Sequence, residues 1–484
     1  MEYGKLRIFY STAIDSFDPM QSDRFDLMFY HKNIYATLVS NFRLSKIEPM
    51  VAESWQVSED GKEWIFKIRE GLKFTNGESI TAKVVYESFK RFVWLTRNNK
   101  TRFQESLYNI EKWENYKHNP DFIKLDNNKI VFKFSKRPYN LFETISQPMF
   151  SIVHSSCYDE NGNWKDKNCY IGSGQYEIVE RNENRLLLRN RHIYPEVNNS
   201  PEYLEIVYIS EYGNNYLSAI IDNKADFTIA QSFEFEYEIR EKLKQKKFII
   251  TSRPKLNMRF IELNYRKAPF NNKELRQTVR DFLLYEMYKE KDYEIDPSFI
   301  PKGGIGYLKF GIKKPEIKKK YEIDDKVQFL KLKTGLNLTK KVYSIMSKIL
   351  AKLNIKSEDI VMDKMGIFLN RRKNGEFDVM ALTSGILIVD PWADLRLMFM
   401  SDVGARIPDP SGRIHLLVEK ADKTTNPENR RKIAEEINRI IYDEAAVITY
   451  IHTSMDYVHR DFIDLSEVNL FSDPIEFRCI SVNK

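Results

Sequence analysis

The stretch that decides the fold runs from residue 48 to residue 74 and reads EPMVAESWQVSEDGKEWIFKIREGLKF. Its run of aromatic and branched residues at 64–68 predicts a β-strand, and Asp60-Gly61-Lys62 just before it predicts a tight hairpin turn. Thr81 follows, in front of apolar residues at helical spacing, and therefore predicts the cap of a helix. Strands and a helix in such close succession indicate an α/β chain.

The same alternation continues on both sides of this stretch. We predict further strands at residues 6–10, 130–134, 176–180, 185–189, 204–209, 260–264, 327–332, 359–362, 378–383 and 447–451. Helices are predicted at residues 25–38, 215–222, 273–285, 338–353, 392–400 and 428–443. Residues 286–326, rich in proline and glycine, are predicted to form a long connection.

Composition indicates a large globular protein. The chain has 484 residues, of which 42% are hydrophobic, and this length suggests two to four domains. Basic residues number 76 and acidic residues 69, so the excess of positive charge is small for the length. One local cluster stands out, with Lys313, Lys314, Lys318, Lys319 and Lys320. Because aromatic residues are not interleaved with these lysines, a solvated loop or helix face is favoured over a nucleic-acid patch.

The apolar runs and the first ten residues indicate whether the chain spans a membrane or carries a secretory leader. No run reaches the roughly 20 apolar residues that span a bilayer, so we expect a soluble chain. Residues 1–10 do not have the composition of a secretory leader. This leaves two alternatives, a leader that has been removed or an intracellular protein.

Three cysteines, Cys157, Cys169 and Cys479, are too few for a disulfide framework. Cys157 and Cys169 flank a polar loop that could fold back and bring the two thiols together. Free cysteines are the other interpretation.

Motifs of catalysis are missing from the sequence. It contains no HExxH, Walker A, GxGxxG or GxSxG pattern. Ser252 and Lys255 have the SxxK spacing of some acyl enzymes, but Pro254 lies within the helical turn that this motif needs. His452 and His459 would lie about 20 Å apart on an extended segment, on opposite faces. The sequence therefore favours a binding protein over an enzyme.

Residues 48–74 closely resemble the oligopeptide, dipeptide and nickel solute-binding proteins of ABC importers, bacterial extracellular solute-binding protein family 5. The likeness continues in register to residue 91. Shorter matches follow in the family's order at residues 16–19, 172–176, 189–194, 264–277, 375–379 and 390–391. The family identified in this way covers nearly the whole chain.

The resemblance implies an α/β, two-lobed periplasmic-binding-protein fold of type II, cluster C, with an extra inserted domain in lobe one. Lobe one would comprise residues 1–43, 170–263 and 455–484, the insertion residues 44–169, and lobe two residues 264–454. The lobes would close on a ligand about a hinge, driven by contacts that only the closed state offers.

The resemblance also implies where a ligand would bind. Lobe one would contribute Ser22, Asp23, Arg24 and Phe25. Lobe two would contribute Thr383, Ser384, Gly385, Ile386, Leu387 and Asp390, with Tyr450 and His452 at the rim of the crevice. Arg372 stands where some members hold a ligand carboxylate, although a solvated charge beside Arg371 and Lys373 is the alternative.

One position departs from the family pattern. Peptide-binding members have a Gly-Trp-x-x-Asp segment whose aspartate takes the ligand's ammonium, and here the tryptophan and aspartate positions are Ser384 and Leu387. A buried ammonium without a counter-charge costs several kcal/mol. We therefore expect an uncharged ligand group at Leu387, unless Asp23 or Asp390 serves as the ammonium partner.

Two classes of function follow. The first is an extracytoplasmic receptor, periplasmic or on the cell surface, that captures a peptide-like or other small ligand and delivers it to the permease subunits of an ABC importer. It would be monomeric, without cofactor, metal or nucleic-acid partner, and would meet the membrane only through the transporter or a lipid anchor. The second is a sensor or interaction protein that keeps the fold and has lost the peptide ligand.

Overall fold

The computed structural model describes residues 4–10, 13–21, 25–43, 46–97, 107–138, 141–208, 216–231, 237–290, 293–333, 337–363, 365–385, 395, 398–399, 407–422, 424, 426–471 and 474–483. The chain forms two compact units. Unit 1 comprises Met1–Arg253 and Met455–Lys484, and unit 2 comprises Pro254–Ser454.

Strands and helices alternate along both units. The strands are β1 (Lys5–Phe9), β2 (Val39–Arg43), β3 (Lys46–Pro49), β4 (Ala52–Val57), β5 (Glu63–Ile68), β6 (Ile123–Asp126), β7 (Lys129–Lys133), β8 (Tyr176–Arg181), β9 (Arg185–Asn190), β10 (Tyr203–Val207), β11 (Phe227–Gln231), β12 (Phe248–Thr251), β13 (Asn257–Leu263), β14 (Val327–Leu332), β15 (Ser357–Met362), β16 (Val379–Gly385), β17 (Val447–Thr453), β18 (Met455–Arg460), β19 (Ile463–Asp464) and β20 (Ser481–Val482). The helices are α1 (Phe25–Ile34), α2 (Ala82–Leu95), α3 (Leu141–Ile145), α4 (Tyr216–Ile221), α5 (Tyr237–Gln245), α6 (Lys273–Lys289), α7 (Asn337–Lys352), α8 (Met365–Asn374), α9 (Arg413–Asp422) and α10 (Pro427–Glu444).

A seven-stranded sheet forms the main layer of unit 1, in the order β12-β18-β11-β1-β10-β9-β8. β1 lies near its centre, where Leu6, Ile8 and Phe9 are at most 1% exposed. β1 and β10 run parallel, with Lys5 opposite Tyr203 and Phe9 opposite Val207. Because parallel neighbours end at the same edge of a sheet, the segments that follow these two strands come close together.

The stretch at residues 48–74 builds a second sheet in unit 1, with the order β4-β5-β7-β6. Along β5 the residues Trp64, Phe66 and Ile68 alternate inward and are 8%, 0% and 0% exposed. Gly61 has a φ of +70°, as the predicted turn requires, and its carbonyl accepts a hydrogen bond from the Trp64 indole at 3.0 Å. Thr81 caps α2 by accepting from the Val84 backbone at 3.4 Å. The predicted turn, strand and helix are confirmed.

A five-stranded sheet, β15-β14-β16-β13-β17, lies at the centre of unit 2. β13 pairs antiparallel with β16 on one side and β17 on the other. Unit 2 begins at Pro254 and includes all of β13, whereas the resemblance implied a boundary between the lobes at residue 264.

Two predicted helices differ from the structure. α1 ends at Ile34 instead of reaching Leu38, because Gly174 donates its backbone N–H to the Ile34 carbonyl at 3.0 Å and Leu38 packs in the core just before β2. α6 continues to Lys289, beyond the predicted end at Tyr285. The helix predicted at 392–400 falls largely outside the described residues. From 293 to 326 the chain has neither helix nor strand, as the connection predicted there requires.

Candidate functional site

A cavity of about 340 Å³ opens in unit 1, lined by Ala13, Ile14, Arg181, Asn182, Glu183 and Tyr208. It lies beyond the carboxyl ends of β1 and β10 and beside the turn that joins β8 to β9. Ligands of α/β proteins commonly bind at this edge of a sheet, and the volume falls within the usual range for small-molecule sites.

Arg181 is the last residue of β8 and is held at the cavity by three contacts. Its Nη2 donates to the Ile14 carbonyl at 2.9 Å, and its Nη1 donates to Asn168 Oδ1 at 3.3 Å. The guanidinium carbon lies 5.1 Å from the centre of the Phe17 ring. Within the described part of the chain, all of its hydrogen-bond partners are neutral. Its charge is thus oriented but not neutralised by a carboxylate there.

Tyr208 follows β10 and is tied to the same turn, since its backbone N–H donates to the Asn184 carbonyl at 2.8 Å. The residue is 8% exposed, and its hydroxyl forms no hydrogen bond of normal geometry with a described residue. Burial is the largest influence and raises the pKa of Tyr208 to about 12, against smaller lowering effects of Tyr30 and Arg181. The hydroxyl is therefore protonated at neutral pH and can donate.

The cavity combines a positive guanidinium with a neutral hydroxyl. Both groups can donate hydrogen bonds, and a guanidinium favours planar anionic acceptors such as carboxylates. Glu183 supplies a negative charge on the same lining. The arrangement can bind an acceptor group near Arg181, and the described residues of its lining offer no nucleophile with an adjacent base.

The lobe-two residues predicted from the family resemblance lie on the strands of unit 2. Thr383 is opposite Arg259 on β13, and Ile451 on β17 is opposite the same arginine. In the next row, Met258 lies between Ser384 and His452. The structure therefore brings Thr383, Ser384 and His452 to one end of the sheet, and their role in binding stays a prediction.

Tyr450 and His452 on β17 are 1% and 5% exposed. The backbone N–H of Asp296 donates to the Tyr450 carbonyl at 3.1 Å, and Asp296 Oδ2 lies 3.5 Å from His452 Nδ1. Neither ring nitrogen of His452 makes a hydrogen bond with a described residue. Burial raises the pKa of Tyr450 to about 12, with Arg259 acting in the opposite direction. Asp296 thus lies beside Tyr450 and His452, the two residues that the family resemblance placed at the rim of the crevice.

Arg372 forms an ion pair within unit 2, and its part in ligand binding stays a prediction. Its Nε and Nη2 lie 2.8 Å and 2.7 Å from Glu262 Oε2, and its side chain is only 17% exposed. Burial raises the pKa of Glu262, while the charge of Arg372 lowers it. Arg372 is therefore paired with a carboxylate of unit 2 and is not a solvated charge.

Several predicted site residues lie outside the described residues, namely Ser22, Asp23, Arg24, Ile386, Leu387 and Asp390. Phe25 opens α1 and Gly385 closes β16. Their contribution to binding stays a prediction.

Arg181, Tyr208 and Asp296 are not among the residues that the sequence predicted for the site. The residues around Arg181 had only the pattern of a hairpin turn. The one signal for Tyr208 was its place after a predicted strand, because the ends of parallel strands collect at one edge. Nothing in the local sequence of Asp296 points to β17, which lies far along the chain.

The described residues contain neither a metal cluster nor a membrane-spanning helix. Among the described residues, no three His, Cys, Asp or Glu side chains are grouped as metal ligands. No helix in the described part of the chain is long and apolar enough to cross a membrane.

The sequence model of bacterial extracellular solute-binding proteins, family 5 (middle region), matches residues 46–405. The chain belongs to this family. Its members are extracytoplasmic solute-binding proteins that serve ABC importers, so the receptor function predicted from the sequence is confirmed at this level, in preference to the sensor.

Two curated relatives of this solute-binding protein come from Escherichia coli. The probable D,D-dipeptide-binding periplasmic protein DdpA is 22% identical over 433 residues, which is 83% of this chain and 78% of that protein. The glutathione-binding protein GsiB of strain K12 is 23% identical over 252 residues, 51% of this chain and 46% of GsiB. The match to GsiB thus spans about half of each protein.

Solved structures share the fold of this solute-binding protein. A periplasmic oligopeptide-binding protein from Borrelia burgdorferi has a TM-score of 0.78 at 15% identity, covering 99% of both chains. NikA from Brucella suis, in complex with Fe(III)-EDTA, has a TM-score of 0.77 at 17% identity, covering 99% of this chain and 100% of NikA. DppA from Helicobacter pylori, in complex with the peptide STSA, scores 0.75 at 18% identity and covers 99% of this chain and 98% of DppA. These neighbours confirm the predicted fold class, the two-lobed α/β fold of periplasmic binding proteins.

Proposed function

We propose that this solute-binding protein captures a peptide-like ligand with a free anionic group and delivers it to the permease of an ABC importer. The observation that carries the ligand class is the 340 Å³ cavity of unit 1, with Arg181 on its wall. A volume of this size lies at the lower end of the range for small-molecule sites. In this proposal the protein is a binding protein that acts outside the cytoplasm and performs no reaction.

The anionic group would be held by Arg181 and Tyr208. Arg181 is fixed by Ile14, Asn168 and Phe17 before any ligand arrives, so little side-chain entropy is lost on binding. A carboxylate at the guanidinium would form a charge-assisted hydrogen bond, and the Tyr208 hydroxyl can donate a second one. A peptide carboxyl terminus has this chemistry.

A ligand group that meets Ile386 or Leu387 would be uncharged. Both side chains are apolar, and Leu387 stands where peptide-binding members have a charged anchor, so burying an ammonium there would cost several kcal/mol. The backbone of an extended ligand would still gain main-chain hydrogen bonds along a strand edge.

A peptide pool tests the anionic group. Purified protein is incubated with tri- to pentapeptides, each present with a free and with an amidated carboxyl terminus, and the bound peptides are identified by mass spectrometry. We expect free carboxylates to be enriched about tenfold to a hundredfold, as a charge-assisted hydrogen bond provides. Arg181→Gln should abolish the enrichment.

Arg185→Gln is the matched control. Arg185 begins β9 just across the same turn but is paired with Glu180 and Glu205, so its loss should leave the preference unchanged. Equal retention of both peptide forms by the unmodified protein would show that Arg181 holds no ligand carboxylate. Failure to retain any peptide would overturn the peptide-like class itself.

A further inference from the structure

A basic segment on unit 2 is held in place at both ends. It runs without helix or strand, and the ring of Phe310 stacks on Tyr442 with centroids 4.1 Å apart and planes 3° from parallel. At its far end the Tyr321 N–H donates to the Leu353 carbonyl at 3.0 Å, and Asn354 Nδ2 donates to the Tyr321 carbonyl at 3.2 Å. The segment is therefore a defined part of the surface.

Residues 309–320 concentrate positive charge. They include one glutamate, Glu316, and six lysines, a net charge of +5 in a chain whose total is +7. All seven of these charged side chains are exposed. Within the described part of the chain the ion pairs of unit 2 involve other lysines, such as Lys326 with Glu358. The charge of the segment is thus presented to solvent, with no carboxylate partner among the residues that the structure describes.

An apolar side chain lies among these lysines. Ile317 is 44% exposed between Lys314 and Lys318. Aromatic residues, on which nucleic-acid bases would stack, are absent between Lys313 and Lys320. A cluster of lysines is attracted to a surface of anionic lipids, and an exposed aliphatic side chain among them can enter the head-group layer.

We infer that residues 309–320 bind anionic phospholipid head groups, so that the receptor adheres to the membrane surface that holds its importer. Phosphodiester anions complement the six lysines, and each lysine near such a surface strengthens partitioning by about fivefold. Ile317 would enter the head-group layer. This inference goes beyond the proposed capture of a ligand and does not depend on which solute is bound.

Vesicle sedimentation tests the inference with the full chain. Vesicles of phosphatidylcholine alone are compared with vesicles of equal parts phosphatidylcholine and phosphatidylglycerol, at about 0.05 M and about 0.5 M NaCl. We expect binding only with phosphatidylglycerol and only at low salt. The triple variant Lys318→Gln, Lys319→Gln, Lys320→Gln should weaken it on the order of a hundredfold, and Ile317→Ser should weaken it less.

The matched control removes three exposed lysines of unit 1, Lys242, Lys244 and Lys246, by the same change to glutamine. It alters the net charge equally and should leave vesicle binding within a few-fold of the original, which would support the inference. Equal losses in the two triple variants would overturn it, because net charge alone would then explain the binding. Equal binding to both kinds of vesicle, or tighter binding of an oligonucleotide through the same lysines, would also overturn it.

Discussion

Arg372 on α8 and Glu262 on β13 form an ion pair in which two guanidinium nitrogens approach one carboxylate oxygen, at 2.8 Å and 2.7 Å. The two side chains are 17% and 10% exposed, so both charges are largely removed from water. Removing either charge would leave the other buried without a partner, which destabilises the folded state. The arginine that the sequence offered as a ligand contact therefore has a partner within unit 2.

Arg372→Gln should lower the free energy of unfolding by about 3–5 kcal/mol at neutral pH, since Glu262 would stay buried without its partner. Burial already raises the pKa of Glu262, and removing Arg372 should raise it further. The loss of stability should therefore be smallest at acid pH, where Glu262 is protonated in both proteins, and grow as pH rises through the folded-state pKa of Glu262, which lies above 4.5. Urea unfolding at several pH values measures this. The double variant with Glu262→Gln should recover much of the stability, and a single variant as stable as the original would contradict the prediction.

A second buried network lies in unit 1. Glu476 is 2.9 Å from Lys32 Nζ and 2.6 Å from Arg478 Nε, and Arg478 Nη1 is 3.0 Å from Glu48. These side chains are 1–4% exposed. Burial alone would raise the pKa of Glu476, but the charges of Arg478 and Lys32 outweigh it and hold the pKa at about 2.

Glu476→Gln should cost about 3–5 kcal/mol of stability at neutral pH, because Arg478 and Lys32 would keep buried charges. Since the folded pKa is lowered, the stabilisation is present above 4.5 and is lost as pH falls from 4.5 towards 2. Between these pH values, the free energy of unfolding measured with denaturant should fall with pH in the original protein. The variant should lack this contribution to the pH dependence. Glu53→Gln, which removes the exposed pair with Lys67, should change stability by less than about 1 kcal/mol.

The cysteines should differ in reactivity. All three are free in the structure, with Cys157 and Cys479 buried and Cys169 half-buried. Burial raises the pKa of Cys157 to about 12, and the neighbouring Cys169 adds to the rise. Burial likewise raises the pKa of Cys479 to about 12. An alkylating reagent near neutral pH should therefore modify Cys169 first, and peptide mapping would show the order.

Oxidised glutathione tests whether Cys157 and Cys169 can form a disulfide. Because Cys157 and Cys169 are neighbours, we expect the oxidant to join them with release of reduced glutathione, leaving Cys479 alone reactive after unfolding. Cys169→Ser should prevent this loss of thiols. A mixed disulfide that stays on Cys169 in the unmodified protein would show that the two thiols cannot meet.

Leu387→Asp should restore the family's ammonium anchor. We expect peptides with a free amino terminus to bind more tightly to this variant, and N-acetylated peptides less tightly, by calorimetry. Bound ligand at a hundredfold excess over Kd should stabilise either protein by about 2.7 kcal/mol, which a rise in Tm would report. If the unmodified protein already prefers free amines and loses this preference in Asp23→Asn or Asp390→Asn, the interpretation of Leu387 is wrong.

Much of the local structure could be predicted because its causes are local. The turn at Gly61, the alternation along β5 and the cap at Thr81 each depend on residues a few positions apart. The end of α1 could not be predicted, since the donor that satisfies the Ile34 carbonyl is Gly174, far along the chain. Leu38 continues the apolar spacing because its side chain is buried in the core, although the helix has already ended at Ile34.

The sequence by itself determined the family, the α/β class and the substitution at Leu387, because these are properties of residue order and type. Only the tertiary structure decided that β13 belongs to unit 2, that Arg372 pairs with Glu262, and that Arg181 and Tyr208 line one cavity. Each of these facts depends on strand pairing or side-chain contact between segments distant in sequence. Such contacts are selected by the packing of the whole unit, and they leave no pattern in the neighbouring residues.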